Sequence, residues 1–303
     1  MNLKEIEYII KISEEKNITR AAEKLYITPS ALNQQLLNLE KELETPLFFR
    51  SRTGFTPTEA GKIYLKAAKE ILRLKKDAYN HLQDIIKSKK GSISIGVPPE
   101  RGSDMFTCVY PIFHKEYPNI TIKIIEVNVK QQQKLISNGV LDIGFMTLKS
   151  SQKTDDEYIP ICSEELVLIT PTSHPLCKKS KKGKGPYPEI DLALFQNEDF
   201  ALMYRESTIS EHVENIFRQV KIIPNVLFET TRASTILDVV SKNMCCGIIP
   251  NSIAIPHKKN VSFFCFPNHP CWEIMVSYKK GGYLNKATKR FIELASDYWN
   301  NSF

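Results

Sequence analysis

The chain has 303 residues, 42% hydrophobic and 25% charged, enough for about two or three globular domains. It lacks both an apolar run of about 18 residues and, in its opening MNLKEIEYII, a basic segment leading into an apolar one. Neither a membrane span nor export is therefore expected, and a cytoplasmic location is. Of the formal +7 charge, residues 1–90 hold 17 Lys and Arg against 12 Asp and Glu, and residues 91–303 hold 24 against 22, so basicity gathers in the N-terminal piece, as a phosphate-facing module requires.

Leu3, Ile6, Ile9 and Ile10 recur at helical spacing, which predicts an amphipathic helix over 2–15. Asn17-Ile18 interrupts it, and Thr19 is expected to cap a second helix reaching Leu25. Ala21 and Ala22 let another helix cross closely, and Tyr26-Ile27 supplies the turn. Thr28 followed by Pro29 is a strong helix start, and Leu32, Leu36, Leu39 and Leu43 form the buried stripe of a third helix over 29–43. Its opposite face carries Ser30, Asn33, Gln34 and Asn38, short polar groups suited to base edges or phosphates. A merely solvated face is the alternative. Arg50-Ser51-Arg52-Thr53-Gly54 then has the make-up of a wing that grips the DNA backbone.

The passage AAEKLYITPSALNQQLLNLEKELETPLFFRSRTGFTPTEAG resembles the winged helix-turn-helix of LysR-type transcriptional regulators. The resemblance rests on AAE in the second helix, TPSAL at the third, LE-x-EL in its core, PLF-x-R before the wing and TEAG after it. It implies DNA contacts by Thr19, Arg20, Thr28, Pro29, Ser30, Asn33, Gln34, Asn38, Arg50, Arg52 and Thr53. The family often has Ser-Arg-Gln where this chain has Asn33-Gln34-Gln35. The phosphate grip therefore leans on Arg20, Arg50 and Arg52, and Arg52→Ala should weaken binding to all DNA alike and flatten its salt dependence.

Thr58 is expected to cap a helix running to about Lys87. Its apolar positions Ala60, Tyr64, Ala67, Ile71, Leu74, Ala78, Leu82 and Ile85 approach a heptad seam. A rod of about 45 Å is long for one small domain, so a dimerisation helix is expected, with packing on its own chain as the plainer alternative. The resemblance implies antiparallel pairing of two such helices and a homo-oligomer, as a dimer or a tetramer of two dimers. Ser88 to Gly91 marks a domain boundary.

Beyond it, strand-like and helix-like segments alternate, which predicts an α/β domain with a mostly parallel sheet. Strands are expected at 92–96, 120–126, 141–146, 165–170, 200–203 and 247–249, and helices at 107–116, 129–138, 210–217 and 235–242. Lys178 to Pro188 reads as a solvated basic insertion. The resemblance implies a regulatory domain over 91–303 with the fold of periplasmic binding proteins, following a DNA-binding domain over 1–57 and a linker over 58–90. Lobe I takes 91–163 and 268–303, lobe II takes 164–267, and a small-molecule effector sits between them. Loops expected at that cleft bring Pro99, Glu100, Arg101, Ser103, Thr147, Tyr204, Arg205, Thr230 and Arg232.

Helix N-termini and guanidinium groups there suit an anion, with Arg205 and Arg232 the leading candidates. Glu100 departs from the Ser or Thr common in the family. A carboxylate there could cap the helix it begins, and it is expected to pair with Arg101, Arg205 or Arg232, to meet a cationic effector, or to point to solvent. Seven cysteines without CxxC and six scattered histidines predict reduced thiols and no metal site, and no cofactor is expected. No nucleophile elbow, phosphate loop or acid/base pair points to an enzyme. Two other readings are a regulator that senses oxidation at Cys245-Cys246, at a predicted helix end, and a constitutive DNA-binding protein whose C-terminal part only oligomerises.

Overall fold

A computed structural model describes residues 2–51, 54–86, 90–254 and 259–301. The chain divides into two units, Met1–Ser88 and Lys89–Phe303. In the first, α1 (Leu3–Glu15) starts on a reciprocal cap in which the Asn2 side chain accepts the Glu5 N–H and Glu5 accepts the Asn2 N–H. The cap of α2 (Ile18–Leu25) is Asn17, which accepts the Arg20 N–H at 3.1 Å, and not Thr19. Asn17 is extended and its amide reaches the orphan N–H, so the helix begins early enough to place Thr19 in its first turn. Thr28 caps α3 (Pro29–Glu42), accepting the Ala31 N–H at 3.2 Å. Ile6, Ile9, Ile12, Ala21, Ala22, Leu32, Leu36 and Leu39 form the buried core, whereas Leu43 lies exposed at the end of α3.

The wing is an antiparallel hairpin of β1 (Phe48–Ser51) and β2 (Gly54–Pro57). Gly54 has φ +126°, and a Cβ there would lie 2.3 Å from the Lys16 carbonyl oxygen, so only glycine lets the wing dock on the turn after α1. Arg52 and Thr53 lie outside the described residues. Thr58 caps α4 (Glu59–Ile85), accepting the Gly61 N–H at 3.0 Å while its hydroxyl donates to the Pro46 carbonyl. Lys87, the expected end of this helix, is also outside the described residues. The expected seam is not continuous. Tyr64, Leu65 and Ala68 are buried in the unit's own core while Ala67 faces solvent, and further along Leu74, Ala78, Leu82 and Ile85 are exposed.

The second unit runs β3 (Lys90–Val97), α5 (Arg101–Glu116), β4 (Asn119–Glu126), α6 (Val129–Ser137), β5 (Ile143–Leu148) and the long β6 (Glu157–Pro171). It continues with β7 (Asp199–Met203), α7 (Thr208–Gln219), β8 (Asn225–Thr230), α8 (Ala233–Val240) and β9 (Cys246–Pro250). β10 (Val261–Cys265), β11 (Cys271–Tyr278) and α9 (Lys286–Asn300) complete it. Strand order is β4-β3-β5-β11-β6-β9-β7-β8, with β10 also on β6. The expectation of a mostly parallel sheet needs correction. β3 pairs in parallel with β4 and β5, and β7 with β8 and β9, but every pairing of β6 and β11 is antiparallel. These two are the crossover strands. The first half of β6 pairs with β11 and the second half with β9 and β10, so β6 carries the chain from one lobe to the other.

Each lobe has its own core. In one, Phe113, Phe145, Phe291 and Trp299 pack between sheet, α5 and α9; in the other, Phe195, Phe200, Ile209 and Phe217 pack under α7. The lysines of 178–184 are exposed, as expected of a basic insertion, while Gly183, Gly185 and Tyr187 are half-buried beneath them. Cys245 lies in the loop just before β9 and Cys246 on β9 itself, not at a helix end.

Candidate functional site

On the first unit, α3 presents Ser30, Gln34 and Asn38 exposed and Asn33 half-exposed, beside exposed Thr19, Arg20, Thr28 and Pro29. Its polar face is not a row of independent groups: the Gln34 amide donates to Asn38 at 2.9 Å. Arg50 on β1 reaches back to α3, donating to Glu40 at 2.9 Å and to Asn33 at 3.4 Å, with its guanidinium over the Phe55 ring. Glu40 also accepts the Leu47 and Phe48 N–H groups, so one carboxylate fixes helix, strand and arginine together. Arg50 thus joins the wing to the helix as well as offering charge. One exposed group went unread in the sequence. Tyr26, 96% exposed in a left-handed turn between α2 and α3, projects a phenol beside the helix start; positive φ at a tyrosine has no local sequence signal. Thr19, Arg20, Ser51 and Phe55 line a groove of about 500 Å³ between the α2 start and the wing.

In the second unit all four expected loops reach one cleft. Pro98, Pro99, Glu100 and Arg101 meet Thr147, Tyr204, Ser207, Thr208, Thr231 and Ala233 around a cavity of about 80 Å³. Asn128, Val129, Met203, Ile209, Pro250 and Trp272 complete the lining and were not anticipated. One of these could have been read from a cap, since Asn128 accepts the Gln131 N–H at the start of α6, as Ser207 in an expected loop accepts the Ser210 N–H at the start of α7.

The four helices α5, α6, α7 and α8 therefore begin at this cleft, and α8 has no side-chain cap of its own. Glu100 supplies one from the opposite lobe. Its carboxylate accepts the Ala233 N–H at 2.9 Å and the Ser234 N–H at 3.1 Å. None of the three expected partners or a solvent-facing position is what this side chain has. It is delivered from a strained backbone: Glu100 has φ +66° and ψ −80°, and the Arg101 N–H bonds the Pro99 carbonyl at 2.9 Å, the geometry of a γ-turn that non-glycine residues rarely adopt. Nearby Asp104 has its carboxyl pushed up by burial and by the Glu100 charge, partly offset by Arg232.

Arg101 turns the other way. Its guanidinium lies 2.6 Å from Glu164 on β6 and over the Trp272 ring. Glu164, 2% exposed, also accepts the Trp272 indole N–H and the Ser252 N–H. The guanidinium, the indole N–H and the backbone N–H together offset the cost of taking this carboxylate out of water. The two lobes are further joined where Thr208 donates to the Thr147 carbonyl and Gln152 to Glu211.

The remaining expected residues lie off the cavity. Ser103 donates to Glu126. Arg205 is 81% exposed, sits 3.4 Å from Glu229 and borders a separate groove over α7 and β8. Arg232 is exposed at the start of α8, and the Thr230 hydroxyl accepts its N–H. A strand-end loop places an arginine near a cleft, but not on which side of the loop it emerges. His212 on α7 is buried edge-on to Trp272, and burial together with Lys149 lowers its pKa to about 4. All seven thiols are free, and burial pushes Cys162 up to about 11 and Cys246 up to about 12. Cys245 and Cys246 are buried and poorly ionised, the opposite of a reactive pair.

A winged helix-turn-helix and a two-lobed α/β unit with a cleft ringed by helix starts define a DNA-binding regulator that carries an effector-binding domain. Residues 3–62 match the bacterial regulatory helix-turn-helix protein, lysR family, and residues 87–300 the LysR substrate binding domain. The chain belongs to the LysR family of transcriptional regulators, which are not enzymes. It is 29% identical to the uncharacterized HTH-type transcriptional regulator YwbI of Bacillus subtilis, over 98% of this chain and 97% of that one. Its fold is similar to full-length OxyR from Pseudomonas aeruginosa, with a TM-score of 0.75 at 20% identity, covering 98% of this chain and 94% of the other. It is also similar to the effector binding domain of QuiR in complex with shikimate, with a TM-score of 0.57 at 22% identity, over 71% of this chain and 99% of that one. Among the described residues no helix is long and apolar enough to cross a membrane.

Proposed function

We propose that this regulator acts in the cytoplasm as a homo-oligomer on operator DNA, and that a small carboxylate metabolite binding between its lobes sets its activity. The observation that carries this reading is the Glu100 carboxylate on the uncapped start of α8. Two backbone N–H groups and the positive end of a helix dipole make a seat for a carboxylate, and the chain's own side chain fills it. An effector carboxylate takes the same seat by displacing Glu100. Displacement also makes room, because about 80 Å³ is far below the roughly 300 Å³ or more of an ordinary ligand pocket. Releasing Glu100 relieves its γ-turn and lets the lobes change their relation, which biases the two-state equilibrium of the domain.

On the DNA side, α3 enters the major groove with Ser30, Asn33, Gln34 and Asn38, and Thr19, Arg20, Thr28 and the wing hold the backbone. The exposed stripe Leu74, Ala78, Leu82 and Ile85 on α4 supports pairing with a second copy. QuiR, whose effector domain binds shikimate, makes hydroxylated cyclic acids the first compounds to try.

The test is calorimetric titration of the full-length protein with carboxylic acids, shikimate among them, and with amines of matched size. Glu100→Ala should bind the active acid about tenfold more tightly, since the internal competitor is gone. Amines that bind the parent protein and fail on Glu100→Ala would overturn the carboxylate reading.

A further inference from the structure

On the far side of β6 from the Glu164 pair, the strand presents Glu165, and the fold gathers three more groups around it. Cys265 ends β10, which pairs with β6, and His269 lies in the turn leading to β11, its N–H on the Phe266 carbonyl. Glu189 is brought alongside by backbone pairing: the Cys265 N–H donates to Pro188 and the Ile190 N–H to the Cys265 carbonyl. Ligating atoms of Glu165, Cys265 and His269 all lie within 4.8 Å of one another.

We propose that Glu165, Cys265 and His269 form a binding site for one zinc-class divalent ion, with Glu189 orienting the imidazole from behind. The His269 Nδ1 stands 3.1 and 3.2 Å from the two Glu165 oxygens, close to the roughly 3.3 Å edge of a tetrahedral zinc site with nitrogen and oxygen ligands. The thiol closes by little more than about an ångström to complete a face, leaving a fourth position open, as three-ligand zinc sites do. The other ring nitrogen, Nε2, faces Glu189 at 3.4 Å. That is the carboxylate–histidine–metal arrangement, in which the outer carboxylate fixes the tautomer that points its lone pair at the ion.

The donor set of one thiolate, one imidazole and one carboxylate suits a borderline-soft ion over calcium or magnesium. The ion takes the thiolate form of Cys265 and the Nδ1 lone pair of His269, whose displaced protons pass to solvent, and its two positive charges offset that thiolate and the Glu165 carboxylate, while Glu189 accepts the imidazole Nε2–H.

The segment above the cluster fits a cover. Gly185 lies against Cys265, where a Cβ would come within 2.8 Å of Sγ, and Gly183 lies likewise against Glu189. The lysines of this segment stay in solvent, so the insertion packs backbone, not charge, over the four groups. Paired histidines are the usual sequence mark of zinc. Here the ligands are 100 and 4 residues apart and only strand pairing assembles them. Because Glu165 adjoins Glu164, an ion at this site stiffens the crossover strand that holds Arg101.

The experiment strips the full-length protein with chelator and titrates it with Co²⁺, then displaces Co²⁺ with Zn²⁺. One ion per chain and a near-ultraviolet thiolate-to-cobalt charge-transfer band are expected. Cys265→Ser should abolish the band and weaken Zn²⁺ about a hundredfold or more, His269→Ala should weaken it as much, and Glu189→Gln about tenfold. Cys108→Ser, on α5, should leave both unchanged. His269, a third exposed, tolerates replacement should Cys265→Ser fail to fold. No thiolate band in the parent protein, or parental Zn²⁺ affinity in His269→Ala, would overturn the site and leave His269 as the partner of two carboxylates.

Discussion

Glu100 caps Ala233 across 133 positions of sequence and across the cleft between the lobes. This relationship makes the contact between the two lobes rest in part on one carboxylate held on a strained backbone. Charge-assisted hydrogen bonds contribute about 1.5–3 kcal/mol each, of which one survives when an amide replaces the carboxylate. Glu100→Gln should therefore raise amide hydrogen exchange at Ala233 and Ser234 about tenfold or more. Unchanged protection at both would show that α8 does not need the cap.

Arg101 is predicted to matter for stability before it matters for any ligand. Removing it leaves Glu164 charged and buried, with only the Trp272 indole and the Ser252 N–H to hold it. Such a loss costs about 3–5 kcal/mol. Arg101→Ala should lower the urea midpoint accordingly, and Arg101→Met combined with Glu164→Gln should regain most of the difference. If the single substitution unfolds at the parental midpoint, the pair is not a stabilising one.

The parts of the molecule legible from sequence are those whose signal is local. Thr28-Pro29 and Thr58 announced two helix starts, and Leu32, Leu36 and Leu39 announced the buried face of α3, whereas the four loops at the cleft followed from the family resemblance. What escaped is set by distance or by chirality. Asn17 and Thr19 are both competent caps, and only the extended backbone at Asn17 decides between them. The first half of β6, with Pro160 and a bulge opposite Ile274 and Met275, shows no clean alternation, because as a crossover strand it has no single solvent face. The partners of Glu100, Arg101 and Arg50 come from separate elements, and each pairing redirected an expected ligand-binding group into the protein's own framework.

His212 should give the domain an acid-sensitive component. Its folded pKa is lowered to about 4 from a usual value near 6.5, so between those values the unfolded chain takes the proton first. Its contribution is then complete above about pH 6.5 and lost as pH falls toward 4. Lys149 opposes protonation and Glu211 only partly favours it. Between pH 7 and pH 4.5 the parent protein should lose about 2 kcal/mol more than His212→Phe, measured by urea unfolding of both. Parallel pH profiles would show that the ring is not held neutral.

The exposed apolar stripe on α4 predicts a self-association surface. Leu82 is 56% and Ile85 75% exposed, an arrangement costly for an isolated helix and ordinary for half of a helix pair. The double substitution Leu82→Lys and Ile85→Lys should reduce the mass measured by light scattering to that of a smaller assembly, with the helix content unchanged. A parental mass would place the association elsewhere.

Arg50 and Glu40 set the electrostatics of the wing. While Glu40 holds the guanidinium at 2.9 Å, the arginine offers DNA only part of its charge, because the carboxylate beside it repels the same phosphate. Glu40→Gln keeps an acceptor for the Leu47 and Phe48 N–H groups but releases the charge. Affinity for any duplex should rise, and the slope of log K against log salt should steepen by up to about 0.9, the value for one added phosphate contact. Arg50→Ala should flatten it by less than that amount, since a half-neutralised arginine releases less than one counterion. The two slopes, read from binding isotherms over a salt series on one operator and one unrelated duplex, separate the roles. A change on the operator alone would mean that Arg50 reads sequence, and a full unit lost in Arg50→Ala would mean that Glu40 lets go when DNA arrives.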